Sequence, residues 1–481
     1  MRSTIRIKDN QKTKIIATVG PASESEETLL ELVKAGVNVF RLNFSHGTQD
    51  NHKKVIDRIV KIQEEYGFCV GILADLQGPK LRIGKIENDG VEVKAGDVIS
   101  FVNTACVGNH DKAYMSYEQF AKDVKVGEKV LLDDGKLVFE VLETDHKSVV
   151  KLKVLFGGIL KSNKGVNLPD TKVSLPCLTE KDLEDLDFIL TQPVNWIALS
   201  FVRKASDIMD LKERIAAKNH TAKVVAKIEK PEAIQNIKSI INAADAIMVA
   251  RGDLGVEVPM EMLPPLQKQI IKKCIQNAKP VIVATQMMES MITNPSPTRA
   301  EITDVANAVL DGADCLMLSG ETATGNHPVK VIDAMIKIID QAEANYEMQG
   351  KRPKPDPDSD SYFSDTICIN APKIADEIKA NGITGVTVTG YTAFKMSSYR
   401  PKCYIYIFSD RRYLLNTLSM VWGVKGLYYD KFTTTDETIY DISELLKTKG
   451  YINSGDVLVN TGSMPLHKRF KTNMLKITIV E

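Results

Sequence analysis

Short β-branched runs alternate with longer amphipathic segments along most of the chain, a pattern that predicts parallel strands joined by helices. Helix start signals precede the longer segments, at Ser23–Ser25, Thr179–Glu180, Pro231–Glu232 and Thr298–Arg299. Eight runs read as strands, and eight is the number that closes a β/α barrel. The predicted strands are 14–19, 37–42, 70–74, 196–201, 223–228, 246–250, 281–284 and 315–318.

This strand and helix repeat is interrupted once. About a hundred residues between Asp75 and Thr179 instead show alternating runs and turns such as Asp134–Gly135. They predict a β domain inserted after the third strand that serves as a lid; the alternative is an insert that only decorates the barrel. A polar, proline-rich stretch near Gly350 predicts a linker, and helix and strand patterns resume beyond it.

The predicted fold class is α/β: a (β/α)8 TIM barrel with an inserted β-barrel domain after strand 3 and a C-terminal three-layer α/β domain. The predicted divisions are 1–78 for the first part of the barrel, 79–175 for the insert, 176–348 for the rest of the barrel, 349–360 for the linker and 361–481 for the last domain.

Composition narrows the class of partner. Lys+Arg and Asp+Glu both total 62 in 481 residues, so the chain has no net charge. No overall positive charge would attract it to nucleic acid or to an anionic membrane surface, and we expect its partner to be a small molecule. Seven scattered cysteines without a C-x-x-C pair indicate a reducing compartment. The first ten residues lack the apolar core of a signal peptide, and no apolar run approaches the length of a membrane span. We therefore expect a cytoplasmic protein.

Polar residues follow nearly every predicted barrel strand. In β/α barrels the loops after the strands meet at one face and carry the chemistry. Hydroxyls, an amide, arginines and carboxylates together suit a phosphorylated substrate and a divalent metal. Read in chain order, with the apolar Phe201 as the exception after strand four, the strand-end residues are Thr18, Arg41, Asn43, Ser45, His46, Asp75, Phe201, Lys227, Glu229, Arg251–Asp253, Thr285, Ser319 and Glu321.

Three of these residues predict a metal site. Lys227 and Glu229 share one face of a strand, and Asp253 follows the next strand, about 4.8 Å away. Magnesium takes one or two protein carboxylates, and an adjacent lysine neutralises charge that develops during reaction. The alternative is a set of solvated charges at strand ends.

Other strand-end residues are suited to phosphate. Arg41 offers a planar fork, and Asn43 and Ser45 add neutral oxygens. Gly252 and Asp253 precede a predicted helix start, where free N–H groups would bind an anion. His46 is as easily a packing or capping residue as a nucleotide contact. Neither a Walker A loop nor a G-x-G-x-x-G motif follows a strand.

Seven ordered motifs resemble the pyruvate kinase family. They are K-I-I-A-T-V-G-P-A-S (14–23), F-R-L-N-F-S-H-G (40–47), K-I-E (227–229), M-V-A-R-G-D-L-G (248–255), A-T-Q-M-M-E-S-M (284–291), P-T-R-A-E (297–301) and L-S-G-E-T-A (318–323). The resemblance runs from about Lys12 to the last strand and includes the insert.

The resemblance implies transfer of a phosphoryl group from phosphoenolpyruvate to ADP, giving ATP and pyruvate. It implies Mg²⁺, with Mn²⁺ as a substitute, and a homotetramer. Matched to the family's motifs, the catalytic residues are Lys227, Arg41 and Thr285; the substrate contacts are Arg41, Gly252, Asp253 and Thr285; the metal ligands are Glu229 and Asp253; and the nucleotide contacts are Asn43, His46, Arg82 and Lys164.

One segment departs from the family. Potassium-dependent members usually carry D-T-K-G-P-E-I-R after strand three, whereas this chain reads D-L-Q-G-P-K-L-R over 75–82, with Leu76 for threonine and Lys80 for glutamate. The fixed ammonium of Lys80 would replace a bound potassium ion and oppose its binding. We therefore expect activity without K⁺ and a vestigial cation site at Asn43, Ser45 and Asp75.

The last domain carries a weaker resemblance. The residues at the end of a predicted strand at 386–389 and at the start of the following helix are like the family's effector-phosphate loop; they are Thr387, Thr389, Gly390 and Thr392. A helix N-terminus suits the phosphate of a sugar-phosphate effector, and an ordinary N-cap is the alternative.

Two rival functions remain open at this point. A magnesium-dependent aldolase or lyase would use Glu229 and Asp253 similarly, but would not need the insert with Arg82 and Lys164 at its hinge. A binding or sensing protein would have kept the fold and lost turnover, although every matched catalytic position is filled.

Overall fold

The structure is a computed structural model that describes residues 11–345, 354–431, 434–464 and 471–481. The predicted absence of a signal peptide in the first ten residues and the first half of the predicted linker lie outside the described residues. Within the described residues, no helix combines the length and apolar character needed to cross a bilayer.

The strands fall into four groups in chain order. The barrel begins with β1 (Lys14–Thr18), β2 (Val39–Asn43) and β3 (Gly71–Asp75). The insert contains β4 (Val91–Val93), β5 (Val98–Val102), β6 (Lys112–Tyr114), β7 (Lys129–Leu132), β8 (Leu137–Thr144), β9 (Val149–Phe156), β10 (Gly158–Leu160) and β11 (Val166–Asn167). The barrel continues with β12 (Trp196–Leu199), β13 (Lys223–Ile228), β14 (Ala246–Ala250), β15 (Val281–Ala284) and β16 (Cys315–Leu318). The last group is β17 (Gly382–Val386), β18 (Tyr404–Ser409), β19 (Val424–Tyr428), β20 (Val457–Gly462) and β21 (Met474–Ile479).

The helices connect these strands. They are α1 (Glu26–Ala35), α2 (Gln49–Tyr66), α3 (Phe120–Asp123), α4 (Glu180–Ile189), α5 (Ala205–Ala217), α6 (Pro231–Gln235), α7 (Ile237–Ala243), α8 (Arg251–Glu257), α9 (Leu263–Gln276), α10 (Arg299–Leu310), α11 (Gly320–Ala323), α12 (Pro328–Ala344), α13 (Tyr362–Glu377), α14 (Tyr391–Ser398), α15 (Arg412–Leu418) and α16 (Thr435–Thr448). The predicted caps are confirmed: the side chains of Ser25, Thr179 and Thr298 accept N–H bonds at helix starts, and Pro231 opens α6.

Eight parallel strands close the predicted barrel in the order β1-β16-β15-β14-β13-β12-β3-β2. Its interior is filled by Ile16, Trp196, Met248 and their neighbours, so the barrel is a packed core. The predicted bounds of the last four barrel strands are confirmed. The second strand begins two residues later than predicted, at Val39, and Asn38 before it accepts the N–H of Ile15 through its side chain.

The insert forms a six-stranded sheet, β11-β7-β8-β9-β5-β6, and a two-stranded sheet, β10-β4. It has its own hydrophobic core around Phe101, Phe139 and Leu152. The insert therefore buries its own apolar surface, and its position after β3 leaves it free to face the carboxyl ends of the barrel strands.

The C-terminal α/β domain carries a five-stranded sheet in the order β19-β18-β17-β20-β21, with β21 antiparallel at the edge. The predicted strand at 386–389 is wrong, because the strand ends at Val386. The N–H of Thr387 still bonds to the carbonyl of Phe408, but the Thr387 hydroxyl then accepts the N–H of Gly390 and turns the chain into α14. The predicted domain divisions themselves stay predictions.

Candidate active site at the carboxyl ends of the barrel strands

A line of buried ion pairs crosses the mouth of the barrel. Arg41 Nε lies 2.7 Å from Asp75 Oδ2, and Lys227 Nζ lies 3.3 Å from Asp75 Oδ1 and 3.0 Å from Glu229 Oε1. Asp75 and Glu229 are each only 1% exposed. Three strand ends that are distant in sequence thus hold two cations and two anions in alternation.

Asp75 and Lys227 stabilise each other in their charged forms. Burial alone would raise the pKa of Asp75, but Lys227 and Arg41 outweigh it and hold the pKa below its usual value. Burial likewise opposes the charge of Lys227, but the carboxylates of Asp75 and Glu229 raise its pKa. The Lys227 ammonium also donates to the Ser200 hydroxyl at 2.7 Å, so its position is fixed on three sides.

Glu229 is held in a different electrostatic state. Its Oε2 accepts the N–H of Phe201 at 2.7 Å. Burial raises the pKa of Glu229, and the negative charge of Asp253 adds to the rise against the opposing effect of Lys227. A divalent cation bound between Glu229 and Asp253 would reduce the repulsion between these two carboxylates, and carboxylate oxygens are suitable ligands for it.

The loop after β14 differs from its prediction. Helix α8 begins at Arg251, so Gly252 and Asp253 lie inside its first turn and do not precede it. The Arg251 guanidinium pairs with Asp304 of α10 at 2.7 Å and donates to the carbonyl of Thr285. Of the two charged residues in the Arg251–Asp253 segment, Asp253 is therefore the one that lies beside Glu229.

Thr285 is linked to the start of α8. Its hydroxyl accepts the N–H of Gly252 at 2.8 Å and donates to the carbonyl of Ala284. Its φ is +72°, a conformation that β-branched residues rarely adopt. Strain of this kind persists where surrounding structure imposes it, commonly in functional sites.

The predicted nucleotide contacts divide between the barrel and the insert. Asn43 is register-paired with Asp75, and His46 is exposed one turn further along the chain. On the insert, Arg82 donates to the carbonyl of Asn163 at 2.9 Å, and Lys164 Nζ lies 2.8 Å from Asp133. Asn43 and His46 thus lie at the end of the second barrel strand, whereas Arg82 and Lys164 are held by contacts within the insert. That the two pairs face one nucleotide stays a prediction.

The predicted monovalent-cation residues are also adjacent. Asn43 Oδ1 accepts the N–H of Ser45 at 3.1 Å, and both residues neighbour Asp75. Lys80 is exposed and, with Asp253, lines a cavity of about 40 Å³ between the insert and the barrel. The cations that pair with Asp75 are Arg41 and Lys227. Because Lys80 shares the lining of this cavity with Asp253, it lies on the Asp253 side of the mouth.

The predicted effector loop opens α14. Gly390 has a φ of +82° and precedes the first helical residue. Thr389 accepts the N–H of Tyr391 at 3.4 Å, and the buried hydroxyl of Thr392 has no hydrogen-bond partner among the described residues. The predicted loop therefore has the local form of a capped helix start with one unsatisfied hydroxyl.

Sequence reasoning overlooked Ser200, whose hydroxyl bridges Lys227 and the carbonyl of Leu76 at 2.8 Å. The alternation of β12 continues from Ala198 to Ser200, which could have identified it. Glu321, predicted as part of the strand-end set, accepts the N–H groups of Ser319 and Met288 and is fully buried. It supports the loops instead of facing the cleft.

Comparisons with known proteins agree with this geometry. The family model described as "Pyruvate kinase, barrel domain" matches residues 10–332, and "Pyruvate kinase, alpha/beta domain" matches residues 365–478. The chain belongs to the pyruvate kinase family. The predicted resemblance and fold class are confirmed, and the protein is an enzyme, a transferase of this family.

Individual members of the pyruvate kinase family match almost the whole chain. A pyruvate kinase from Clostridium perfringens is 40% identical over 474 residues, covering 97% of this chain and 99% of the relative. One from Geobacillus stearothermophilus is 41% identical over 477 residues, covering 98% of this chain and 80% of the relative. The crystal structure of a pyruvate kinase from Cryptosporidium parvum has a TM-score of 0.92 at 36% identity, covering 98% of this chain and 96% of that one.

Among the described residues, no group of three His, Cys, Asp or Glu side chains is arranged to hold a metal ion. Glu229 and Asp253 are the neighbouring carboxylates that could hold a metal at the barrel mouth, with substrate or water completing its coordination. That is the usual arrangement for Mg²⁺ at a phosphoryl-transfer site, and its small demand for protein ligands suits this donor set.

Proposed function

We propose that the chain transfers the phosphoryl group of phosphoenolpyruvate to ADP, with the resulting enolate protonated to pyruvate. The observation that carries the proposal is the row of buried side chains of alternating charge at the barrel mouth, beside Asp253. The row consists of Arg41, Asp75, Lys227 and Glu229. Membership of the pyruvate kinase family supports it.

The roles of the chain's residues follow from where their charges lie. The Lys227 ammonium is held by Asp75, Glu229 and Ser200, so it needs no rearrangement to stabilise charge on the transferring phosphoryl group and enolate oxygen. Arg41 directs its fork at the phosphoryl group from the opposite side of Asp75. Thr285 lies at the remaining side of the mouth, next to the carbon that is protonated.

Glu229 and Asp253 would hold Mg²⁺, for which Mn²⁺ substitutes. The metal supplies positive charge that orients substrate oxygens and offsets the negative charge of the reacting groups. The raised pKa of Glu229, which burial and the neighbouring charge of Asp253 produce, supports this assignment, because a bound cation would offset both effects.

On the nucleotide side, we assign Asn43 and His46 from the barrel and Arg82 and Lys164 from the insert to ADP. Asp133 holds Lys164 in place and Lys164 lowers the pKa of Asp133. Closure of the insert would bring these cations over the transferring phosphate and exclude water from it.

The direct test is turnover of phosphoenolpyruvate and ADP with Mg²⁺, coupled to reduction of pyruvate by lactate dehydrogenase. We expect ADP-dependent formation of ATP and pyruvate in equal amounts. A magnesium-dependent aldolase or lyase would release pyruvate from another substrate without ADP, and a binding protein would show no turnover. Either result would reject the proposal.

We further propose that turnover does not require K⁺. The charge of Asp75 is already balanced by Arg41 and Lys227, and Lys80 adds a fixed ammonium on the Asp253 side of the mouth. Asn43 Oδ1 is used by the N–H of Ser45, which weakens the vestigial cation site.

A sugar phosphate bound at Thr387, Thr389, Gly390 and Thr392 is proposed as an effector. The unsatisfied buried hydroxyl of Thr392 at the start of an eight-residue helix supports it. We expect sigmoidal phosphoenolpyruvate kinetics that become hyperbolic on adding a phosphosugar. Kinetics that do not respond to a panel of phosphosugars would reject the proposal.

A cytoplasmic homotetramer is proposed as the working form. Edge strand β21 exposes Ile477 and Ile479, which suits pairing with another copy of the chain. No disulfide joins any of the seven cysteines, all of which lie in the described part of the chain, and a reducing compartment is compatible with this. Light scattering after size exclusion should give four times the 53.3 kDa chain mass, and a monomer would reject the tetramer.

A further inference from the structure

A buried hydrogen-bonded cluster joins the insert to the barrel beside the candidate metal site. Glu257 Oε1 accepts from Lys230 Nζ at 2.6 Å and from Asn167 Nδ2 at 2.9 Å. Glu257 is 4% exposed and Lys230 is 8% exposed. Lys230 and Glu257 belong to the barrel and Asn167 ends β11 of the insert, so one of the two bonds crosses between the domains.

The two residues that form the Asn167–Glu257 bond are close in sequence to residues that we assign to the reaction. Glu257 lies one helical turn after Asp253 on α8, and Asn167 lies three residues after Lys164. Asn167 pairs with Leu131 of β7, and the turn after β7 carries Asp133, which holds Lys164. A movement of Asn167 relative to Glu257 therefore moves Lys164 relative to Asp253.

We propose that Glu257 is a positioning residue that secures the insert over the barrel mouth through Asn167 and so sets the nucleotide-facing Lys164 against the Asp253 site. The inference rests on the proposed function of Lys164 and Asp253. The Lys230 ammonium lies 2.6 Å from the buried Glu257 carboxylate, and an ion-paired carboxylate is a stronger acceptor for the Asn167 amide than a neutral group would be.

The chain around the contact is built to bring the two surfaces together. A Cβ added to Gly135, in the turn after β7, would lie 3.7 Å from Val256 of α8, so this turn also approaches the helix. Glu257 and Asn167 line the same small cavity as Lys80 and Asp253. The second carboxylate oxygen of Glu257, Oε2, is buried without a hydrogen-bond partner among the described residues, so Asn167 is one of only two groups that compensate this carboxylate there.

The decisive variant is Asn167→Ala, because it removes the bond between the domains and leaves the Lys230–Glu257 pair intact. A hydrogen bond to a charged group corresponds to about a ten-fold change in an equilibrium constant. We expect KM for ADP to rise about ten-fold, while KM for phosphoenolpyruvate, whose assigned contacts lie on the barrel, stays within about two-fold. The matched control is Asn103→Ala, whose amide bonds to Lys147 within the insert.

A charge exchange separates positioning from general stability. Asn167→Asp should be worse than Asn167→Ala, because it places two carboxylates against each other. Adding Glu257→Gln exchanges donor and acceptor, and should restore KM for ADP toward the value of the native chain. Unchanged KM for ADP in both single variants, or failure of the exchange to restore it in a folded protein, would overturn the inference.

The assay also separates this inference from the proposed function. A native chain without ADP-dependent turnover would reject both, whereas an active native chain with unaffected Asn167 variants would reject the positioning role alone. Hydrogen exchange gives a readout independent of activity. Residues 164–167 and 251–257 should exchange faster in Asn167→Ala, and equal exchange in the two proteins would contradict the proposal.

Discussion

The ammonium nitrogen of Lys227 lies 3.3 Å from Oδ1 of Asp75, so the end of the fifth barrel strand is tied to the end of the third. Both groups are kept charged: the pKa of Lys227 is raised and that of Asp75 is lowered. The mouth of the barrel therefore holds a fixed positive charge in a buried setting, where it acts on a reacting group more strongly than it would in water.

Replacing that charge should affect rate more than affinity. Lys227→Met is expected to lower kcat by about 10²–10³-fold, with a much smaller change in KM for phosphoenolpyruvate, since the charge acts mainly as the transition state forms. Steady-state kinetics give both values. The control is Lys223→Met at the opposite end of the same strand, where the ammonium lies over the Phe394 ring. Comparable losses in the two variants would contradict the role of Lys227.

The Asp75 carboxylate should contribute stability as well as geometry. Asp75→Asn removes the anion that Arg41 and Lys227 share, so Arg41 loses its carboxylate and Lys227 keeps only Glu229, and the free energy of unfolding is expected to fall by about 3 kcal/mol at pH 7. Asp57→Asn removes an exposed pair with Lys53 and should change it by less than about 0.5 kcal/mol. Urea unfolding measures both.

The pH dependence of this loss follows from the sign of the shift. The pKa of Asp75 is lowered from 3.8, so its stabilisation is fully present above the unfolded value and is lost as pH falls through the folded one. The difference between the native chain and Asp75→Asn should be equal at pH 7 and pH 5 and should shrink only below about pH 4. A difference that shrinks already between pH 7 and pH 5 would contradict this assignment.

Potassium should have little effect on the rate. In K⁺-free buffer with Mg²⁺, the native chain is expected to turn over at a rate that added K⁺ changes by less than about two-fold. Lys80→Glu should introduce a several-fold stimulation by K⁺, and Lys85→Glu, an exposed lysine on the insert, serves as the charge control. Strong stimulation of the native chain by K⁺ would show that Lys80 does not replace the ion.

Thr285 combines backbone strain with a hydroxyl that the proposed mechanism uses. Thr285→Gly should raise the free energy of unfolding by about 1 kcal/mol or more, since φ is +72°, while kcat falls because the hydroxyl is lost. Thr285→Ser keeps the hydroxyl that accepts the N–H of Gly252, and is expected to retain most of the activity. Thermal unfolding and steady-state kinetics measure the stability and activity of both variants. Equal activity in Thr285→Gly and Thr285→Ser would show that the hydroxyl has no role in the reaction.

Sequence patterns predicted the barrel well because buried parallel strands read as continuous apolar runs, and β13 and β14 have their predicted bounds. The convergence of Lys227 and Glu229 follows from the two-residue period of a strand. The strand predicted at 386–389 was misplaced because Thr387 and Thr389 have β-branched side chains, yet the Thr387 hydroxyl caps the following turn.

Contacts that depend on tertiary structure could not be predicted. Arg251 and Asp253 are two residues apart, and nothing in the sequence indicated that Arg251 turns away to Asp304 while Asp253 stays beside Glu229. The positive φ of Thr285 had no signal either, since threonine is an unfavourable residue for that conformation. The bond from Asn167 to Glu257 depends on how the insert lies against the barrel, which local patterns do not encode.

The most direct test is to locate a divalent cation in crystals of the protein soaked with Mn²⁺ and oxalate. The account predicts one anomalous peak coordinated by carboxylate oxygens of Glu229 and Asp253, with oxalate completing the coordination beside Lys227. An empty barrel mouth, or a peak that contacts neither carboxylate, would contradict it.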